Sequence, residues 1–347
     1  MKNITFIIGN GFDKQIGLDT GYNHFLDWYL KQPSESKCIE NYKKTLLENG
    51  DSEWWTDAEI AMGKYLNEFN QDTITEYYIN IRDFKIRLAE YLADQEARCD
   101  FSNEKEIGDK FCLFITGFQK DILLQHKIRN TFSQEETTRY NFLTFNYTSV
   151  LQEILNITKN THHPLYKTSL SSGNVATGNI GQYFAIHGSL ESSIIMGVND
   201  ASQLAYMSDL LPTKLRRTLI KPEINAALGR QENDNAEHCI LGSDVLAIYG
   251  WKMGDTDKKW RELVGKWLKV NGRSVVIFGH KKLQNANFLI PEDVLDYVDD
   301  KQTEFLKKVY PSIDEDSIEE MRDKIFIIDR TRYLDFDLLH SDNLVTV

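Results

Sequence analysis

The amino-acid sequence predicts an α/β protein with an open, mainly parallel sheet and a large helical insertion. Three observations lead to this fold class. Short runs of β-branched and aromatic residues recur along the 347-residue chain, and several of them end on Gly, Asn or His. Helical segments lie between some of these runs, which is the alternation typical of a parallel sheet. Residues 26–136 instead carry aromatic side chains at helical spacings, which indicates the insertion.

The predicted strands define the sheet. The first comprises residues 4–8, an apolar run that ends at Gly9 and that we expect to be buried on both faces. The later strands are predicted at residues 140–145, 183–186, 194–196, 245–249, 274–278 and 324–328. Because the ligands of open α/β sheets bind outside the carboxyl ends of the strands, the residues that follow these runs are the first candidates for a site.

The chain is predicted to have two parts. Residues 1–25 and 137–347 form the domain that contains the sheet, and residues 26–136 form the helical insertion. Within the sheet domain, residues 161–181 are rich in Ser, Gly, Asn and Thr and are predicted to be a long loop. The acidic stretch at residues 291–323 is predicted to be a solvated helical face rather than a site.

Composition excludes several classes of function. The chain has 40 Lys and Arg against 52 Asp and Glu, a net charge of −12, which disfavours a general nucleic-acid binder. No run approaches the ~18–20 apolar residues that a membrane helix requires. Four widely spaced cysteines, Cys38, Cys99, Cys112 and Cys239, fit neither a zinc site nor a disulfide framework. We therefore expect a cytoplasmic protein that binds no metal, no nucleic acid and no membrane.

The first strand leads into residues 9–13, Gly-Asn-Gly-Phe-Asp. A Gly-x-Gly turn between a strand and a helix lets backbone N–H groups approach a diphosphate, and the start of the helix adds a favourable field. The dehydrogenase fingerprint requires a third Gly where this chain has Lys14, so hydride transfer is disfavoured. The alternative interpretation of residues 9–13 is a tight structural turn.

Polar residues follow three of the later strands. Asn146 could aim a neutral amide at a ribose hydroxyl or a water, or it could satisfy a backbone group at the strand end. His187 could act as a general base, or it could be a structural histidine. After Gly250, Asp255 and Asp257 could bind the hydroxyls of an adenosine ribose; alternatively, Asp255 caps a helix and Asp257 lies in its first turn.

Taken together and in order, these motifs resemble those of the AbiH family of bacteriophage abortive-infection proteins. The similar segments are residues 9–13, the series Gly17, Leu18, Thr20, Tyr22 and Phe25, residues 55–59 (Trp-Thr-Asp-Ala-Glu), residues 145–148, residues 186–188 and residues 250–257. Residues 9–20 also resemble the phosphate loop of sirtuins, Gly-Ala-Gly-Ile-Ser followed by Gly-Ile-Pro-Asp. Residues 144–148 resemble the sirtuin Thr-Gln-Asn-Ile-Asp segment, and His187 with Gly188 resembles its His-Gly.

The resemblance implies a sirtuin-like Rossmann domain that binds NAD as a substrate. It implies catalytic roles for Asn146, beside the nicotinamide ribose, and for His187, as a base. The residues that it implies for NAD binding are Gly9, Asn10, Gly11, Phe12, Asp13, Thr20, Gly188, Gly250, Asp255 and Asp257. Asp13, where sirtuins have Ser, could offset a developing positive charge or cap a helix. None of the cysteines could build the sirtuin zinc module, so protein deacylation is disfavoured.

The function that the resemblance implies is that of an antiphage effector that hydrolyses the nicotinamide–ribose bond of NAD when triggered. The alternative is a non-catalytic module that binds NAD, ADP-ribose or a related nucleotide and regulates a toxic partner. This alternative gains weight because Phe145 and Lys252 depart from the sirtuin pattern. A homo-oligomer and a phage-derived trigger are further partners that the sequence allows, and the insertion is a candidate gate.

Overall fold

The computed structural model describes residues 1–34, 36–48, 57–118, 137–205, 212–279 and 291–329. The strands of this part of the chain are β1 (Lys2–Ile8), β2 (Thr138–Thr144), β3 (Tyr166–Ser169), β4 (Val175–Ala185), β5 (Val245–Tyr249), β6 (Ser274–Gly279) and β7 (Ile325–Asp329). The helices are α1 (Gly11–Gln15), α2 (Tyr22–Lys31), α3 (Lys37–Glu48), α4 (Ala58–Tyr65), α5 (Ile74–Glu96), α6 (Glu104–Gly117), α7 (Val150–Thr161), α8 (Thr213–Leu219), α9 (Lys221–Ala227), α10 (Glu232–Leu241), α11 (Lys258–Leu268), α12 (Pro291–Val309) and α13 (Glu315–Arg322). Short 3-10 turns lie at Leu66–Glu68, Ala201–Gln203 and Asp255–Asp257.

The seven strands form one sheet in the order β3-β4-β2-β1-β5-β6-β7. Only the β3–β4 pair is antiparallel. From β1 the chain builds one side of the sheet through β2 and β4, and then crosses back to build the other side through β5, β6 and β7. The direction of winding therefore changes between β1 and β5, and such a change opens a crevice at the carboxyl ends of the strands.

Both faces of the sheet are covered, which explains why its central strands are continuous apolar runs. On one face, Phe6 of β1 stacks on Phe142 of β2 with ring centroids 5.2 Å apart, and α6 packs Phe111 and Phe114 against them. On the other face, alternate strand residues pack against α10, α11, α12 and α13. Helix α6 lies in the range predicted for the insertion, but its apolar face belongs to the core of the sheet.

Helices α2 to α5 share a second core that is rich in aromatic side chains. Phe25 of α2 packs edge-on against Phe84 of α5, with ring centroids 5.0 Å apart. Met196, Val198 and the apolar residues of α8 belong to the same cluster, although they follow β4 in the chain. The insertion is thus bound to the sheet domain by a shared apolar core.

Most predicted strands are confirmed, and two predictions are wrong. Residues 194–196 are not a strand: Ile195 donates its N–H to the carbonyl of His187, and Met196 packs into the core of the insertion. Residues 161–181 are not one long loop, because they contain β3 and much of β4, which pair as a hairpin. Their Ser and Thr suit a half-exposed antiparallel edge. The acidic stretch 291–323 is helical as predicted, in α12 and α13.

No helix in the described part of the chain is both long enough and apolar enough to cross a membrane.

Candidate functional site

A polar cavity of about 170 Å3 lies at the carboxyl ends of the central strands. Four strand ends converge on it because their registers align: Ile8 of β1 pairs with both Thr144 of β2 and Tyr249 of β5, and Thr144 pairs with Ala185 of β4. The residues from the sheet domain that line it are Gly9, Asn10, Asp13, Phe145, Asn146, Tyr147, Thr148, His187, Gly250, Trp251, Lys252, Gly254, Thr256 and Asp257. Thr20 and Tyr22, also of the sheet domain, and Asp57, Glu59, Leu88 and Leu92 of the insertion complete the wall.

The turn after β1 packs backbone to backbone on the turn after β5. A Cβ atom on Gly9 would lie 2.4 Å from the Cα of Trp251, and one on Gly11 would lie 2.6 Å from the Cα of Gly250. Gly250 itself has a φ of 65°, which favours glycine. The N–H groups of Gly9 and Gly11 donate to the carbonyls of Tyr249 (2.9 Å) and Gly250 (3.0 Å). These glycines are therefore required by the packing of the two turns, and their N–H groups already have acceptors.

Asn10 holds the next part of the chain against this turn. Its Nδ2 donates to the backbone carbonyl of Thr20 at 3.0 Å, and the hydroxyl of Thr20 donates to its Oδ1. Both residues line the cavity. The mutual hydrogen bonds fix the path of the chain between α1 and α2, which brings Tyr22 to the cavity wall.

Asp13, Asn146 and Thr148 form a buried hydrogen-bonded group. The Nδ2 of Asn146 donates to Oδ1 of Asp13 at 2.7 Å, and the hydroxyl of Thr148 donates to Oδ2 at 2.8 Å. Burial raises the pKa of Asp13 to about 7, although these two hydrogen bonds act to lower it. Because its amide nitrogen is committed to Asp13, Asn146 turns its Oδ1 away from that carboxyl. This oxygen is buried and has no hydrogen-bond partner in the described part of the protein.

His187 belongs to a second buried group, in which its Nε2 lies 3.1 Å from Oδ1 of Asp257 and 3.0 Å from Nζ of Lys221. Lys221 also donates to Oε2 of Glu59 at 2.8 Å. Although burial acts to lower the pKa of Lys221, the two carboxylates raise it on balance. Burial acts to raise the pKa of Asp257, but Lys221 and His187 hold it well below its usual range. Lys221 and Asp257 are therefore charged at neutral pH.

The insertion contributes directly to this second group. Glu59 lies on α4, and its Oε1 accepts hydrogen bonds from the hydroxyl of Tyr147 (3.0 Å) and the backbone N–H of Gly197 (3.2 Å). Asp57 caps α4 by accepting from the N–H of Ile60, and burial raises the pKa of Asp57 to about 6. Residues of both parts of the chain therefore line the cavity.

Four residues that the resemblance implied for NAD binding do not line the cavity. Phe12 is fully buried in the core and packs edge-on against Tyr249. Gly11 is in the interface between the two turns, and Gly188 adopts a φ of 72° where its backbone meets Ser193. Asp255 is 74% exposed and pairs with Arg261 at 2.9 Å.

Asp257 lines the cavity, but its carboxylate contacts protein groups. Besides His187 and Lys221, it accepts a hydrogen bond from the indole of Trp251 at 3.1 Å. The alternative interpretation is confirmed for Asp257, which lies in the first turn of the short 3-10 helix Asp255–Asp257, but it is wrong for Asp255, because Gly254 is the capping position and no side-chain cap bond is formed there.

Sequence reasoning did not assign roles to Glu59, Lys221 and Tyr147. Glu59 belongs to segment 55–59, which resembles AbiH proteins, so this resemblance could have indicated a role for Glu59. The first two residues of the segment, Trp55 and Thr56, lie outside the described residues. The sequence around Lys221 did not predict its role, because a lysine at the start of a polar helix does not by itself indicate a buried partner. Among the described residues, no group of three or more His, Cys, Asp or Glu side chains is arranged to hold a metal ion.

The fold and the cavity define a class of protein: a mixed α/β protein with a seven-stranded, mostly parallel sheet and a buried polar site at its strand ends. Residues 5–278 match the family model described as Bacteriophage abortive infection AbiH, so the chain belongs to the AbiH family. Membership suggests a part in abortive infection by phage. A comparison with curated proteins found no match.

Proposed function

We propose that this protein binds a NAD-type dinucleotide and hydrolyses its nicotinamide–ribose bond as the effector step of abortive infection. The proposal rests on the side-chain oxygen of Asn146, Oδ1. This atom is buried, lacks a hydrogen-bond partner among the described residues and is oriented by the bond from Nδ2 to Asp13. A buried acceptor of this kind is costly unless a ligand or a water supplies the hydrogen bond. A ribose hydroxyl or an attacking water is such a donor.

The strand order supports a dinucleotide ligand. The parallel strands run β4-β2-β1-β5-β6-β7, which corresponds to the order 3-2-1-4-5-6 of the doubly wound dinucleotide-binding fold. In that fold the dinucleotide crosses the crevice where the strand order reverses, and here the polar cavity lies at that crevice. A Rossmann-like, sirtuin-like assignment is therefore part of the proposal.

The buried groups suit cleavage of an N-glycosidic bond. Its transition state resembles an oxocarbenium ion, as in glycoside hydrolysis, and needs negative charge near the sugar and a base for water. Asp13, with a pKa near neutrality, supplies a carboxylate for either task, and Asn146 orients the hydroxyl or the water. The contact between Nε2 of His187 and Asp257 leaves Nδ1 of His187 for a ribose hydroxyl.

A comparison with the sirtuin segments gives a consistent interpretation of Asp13. Where those segments have Ser and Asp, this chain has Asp13 and Thr148. The hydroxyl of Thr148 donates to the carboxylate of Asp13 at 2.8 Å. Relative to the sirtuin segments, the carboxyl group is therefore at position 13 instead of position 148, and the hydroxyl is at position 148 instead of position 13. The site contains one carboxyl and one hydroxyl in both cases.

The size of the cavity supports a gated site. Its volume of about 170 Å3 is below the ~300–1,000 Å3 of pockets that bury a drug-sized ligand, so a dinucleotide requires the wall to open. Asp57, Glu59, Leu88 and Leu92 of the insertion form part of that wall. We therefore propose that displacement of the insertion admits the substrate and that the phage-derived trigger favours this displacement.

The test uses purified protein and measures nicotinamide released from NAD by liquid chromatography. Asn146→Ala should lower the rate by ~10²–10³-fold, the range for removing one preorganised polar group from an active site. Asn141→Ala is the matched control, because Asn141 lies on β2, the strand that Asn146 follows, and is also 4% exposed but does not line the cavity. Release by Asn146→Ala at the wild-type rate would refute the assignment.

One observation favours the alternative of a nucleotide-binding module without catalysis. The ammonium of Lys221 lies 3.0 Å from Nε2 of His187. When Lys221 donates to this nitrogen, the proton of a neutral imidazole is on Nδ1, and Nδ1 then cannot act as a base. If wild-type protein binds NAD in calorimetry but releases no nicotinamide with or without phage lysate, the alternative replaces the hydrolase.

A further inference from the structure

A second cavity, of about 460 Å3, lies between α5 of the insertion and the segment that follows His187; we refer to it as the α5 cavity. Its volume falls within the ~300–1,000 Å3 typical of small-molecule sites. Six side chains of α5, from Tyr78 to Ala89, form one wall at the helical spacings that place them on a single face. Leu190 and Ile194 form the opposite wall. The cavity thus has an apolar body between the two parts of the chain.

Cationic groups surround this apolar body. Arg82, Lys85 and Lys214 line the α5 cavity, and its lining, within the described residues, includes no Asp or Glu. Arg82 and Lys85 are three residues apart on α5, so their charges lie on the same face. The charge of the cavity is therefore complementary to an anion.

Lys85 is a half-buried lysine whose ammonium donates to neutral acceptors. Its Nζ donates to the backbone carbonyls of Met196 (2.6 Å) and Thr218 (3.0 Å). The carboxylate whose charge acts on it, Glu59, is already bonded to Lys221. Burial lowers the pKa of Lys85 to about 8 despite this opposing charge. Within the described residues no carboxylate is hydrogen-bonded to this ammonium, and an anion in the cavity would offset the desolvation that lowers its pKa.

Two hydrogen-bonded backbone segments connect the α5 cavity to the polar cavity at the strand ends. Met196 accepts from Lys85, and the next residue, Gly197, donates its N–H to Glu59. On the opposite wall, Leu190 donates its N–H to the carbonyl of Tyr147. A ligand between these walls would contact segments that position Glu59 and Tyr147.

We propose that the α5 cavity binds a small organic anion, a phosphate, sulfonate or carboxylate attached to an apolar ring or chain. The anionic group lies at Lys85 and Arg82, and the apolar part packs between Ile81 and Leu190. Such a ligand bridges the insertion and the segment after His187, so its binding biases how the two parts of the chain are held together.

The test compares two fluorescent probes that differ in charge. The anionic probe is 8-anilinonaphthalene-1-sulfonate, and the neutral one is N-phenyl-1-naphthylamine, which keeps the rings and lacks the sulfonate. The wild-type protein should bind one anionic probe per chain, at least about ten-fold more tightly than the neutral probe, because a hydrogen bond to a charged group contributes to the binding. Lys85→Met should remove this preference, whereas Lys110→Met, on α6 outside the cavity, should retain it.

Ala89→Trp provides a second variant that leaves Lys85 and its hydrogen bonds in place. Its ring should fill the cavity and abolish binding of both probes while the circular dichroism spectrum stays that of wild type. Equal affinity for the two probes in wild type, or an anionic probe that binds Ala89→Trp as tightly as wild type, would overturn the proposal. The assay contains no NAD, so its result is independent of the proposed hydrolase function.

Discussion

Asp13 has an environment that few carboxyl groups have. It is 1% exposed, and it accepts one hydrogen bond from Asn146 and one from Thr148. Desolvation outweighs these bonds, so the folded protein holds a proton on Asp13 up to a pH near 7. A carboxyl group that titrates near neutral pH can accept a proton from water, and this is the property that a hydrolase needs.

The raised pKa predicts how Asp13 affects stability. Its folded pKa of about 7 exceeds the unfolded value of 3.8, so the folded state binds more protons between these values and loses stability as the pH rises through them. Asp13→Asn removes this loss. Relative to wild type, the free energy of unfolding of Asp13→Asn should rise by about 2–3 kcal/mol between pH 5 and pH 8. Urea titrations of both proteins at the two pH values measure this change. If the difference in free energy of unfolding between Asp13→Asn and wild type were the same at both pH values, the raised pKa of Asp13 would be contradicted.

At the scale of elements, the site depends on a contact between two helices that are far apart in the chain. Glu59 of α4 and Lys221 at the start of α9 form a buried ion pair with an N–O distance of 2.8 Å. Lys221 in turn contacts His187, which follows β4. The insertion is therefore coupled to the candidate catalytic histidine through one lysine.

A double-mutant cycle tests this coupling. Breaking a buried ion pair by removing one partner costs ~3–5 kcal/mol, because the other charge stays buried and unpaired. Glu59→Gln and Lys221→Met should each destabilise the protein, and the double variant should be more stable than the sum of the two losses predicts. Urea unfolding of the four proteins measures the coupling. Additive losses would show that the pair does not connect the two helices energetically.

Strands and strand-end residues could be predicted because their signals are local. The runs that became β1, β2, β5, β6 and β7 are apolar on both faces, and the residues after them lie at the strand ends by continuity of the chain. That is why Asn146 and His187 could be named as candidates. The three-residue run at 194–196 misled because a short apolar segment packs equally well in a loop against another core.

The partners of these residues could not be predicted, because their positions depend on tertiary contacts. Lys221 acquires its role from Glu59, 162 residues away in the chain. Asp257 seemed suited to a ribose hydroxyl, but its contact with His187 arises only when the ends of β4 and β5 are brought together. Likewise, Gly9 and Gly11 suggested a phosphate loop, and only the fold shows that they also allow two turns to touch.

At the scale of the whole molecule, the candidate site lies where the insertion meets the strand ends of the sheet. The sheet domain supplies Asp13, Asn146 and His187, and the insertion supplies Asp57, Glu59 and two apolar wall residues. An effector that consumed NAD without control would harm its own host. A small polar cavity with part of its wall on the insertion is consistent with the activity that we propose being released only on infection.

The most direct test of this account is the NAD and nicotinamide content of phage-infected cells, measured by mass spectrometry. Cells that carry the wild-type protein or Asn141→Ala should lose NAD and gain nicotinamide after infection, whereas cells that carry Asn146→Ala should keep their NAD. Wild-type cells that survive as a population while their NAD stays constant would contradict the proposed hydrolase function and favour the nucleotide-binding module.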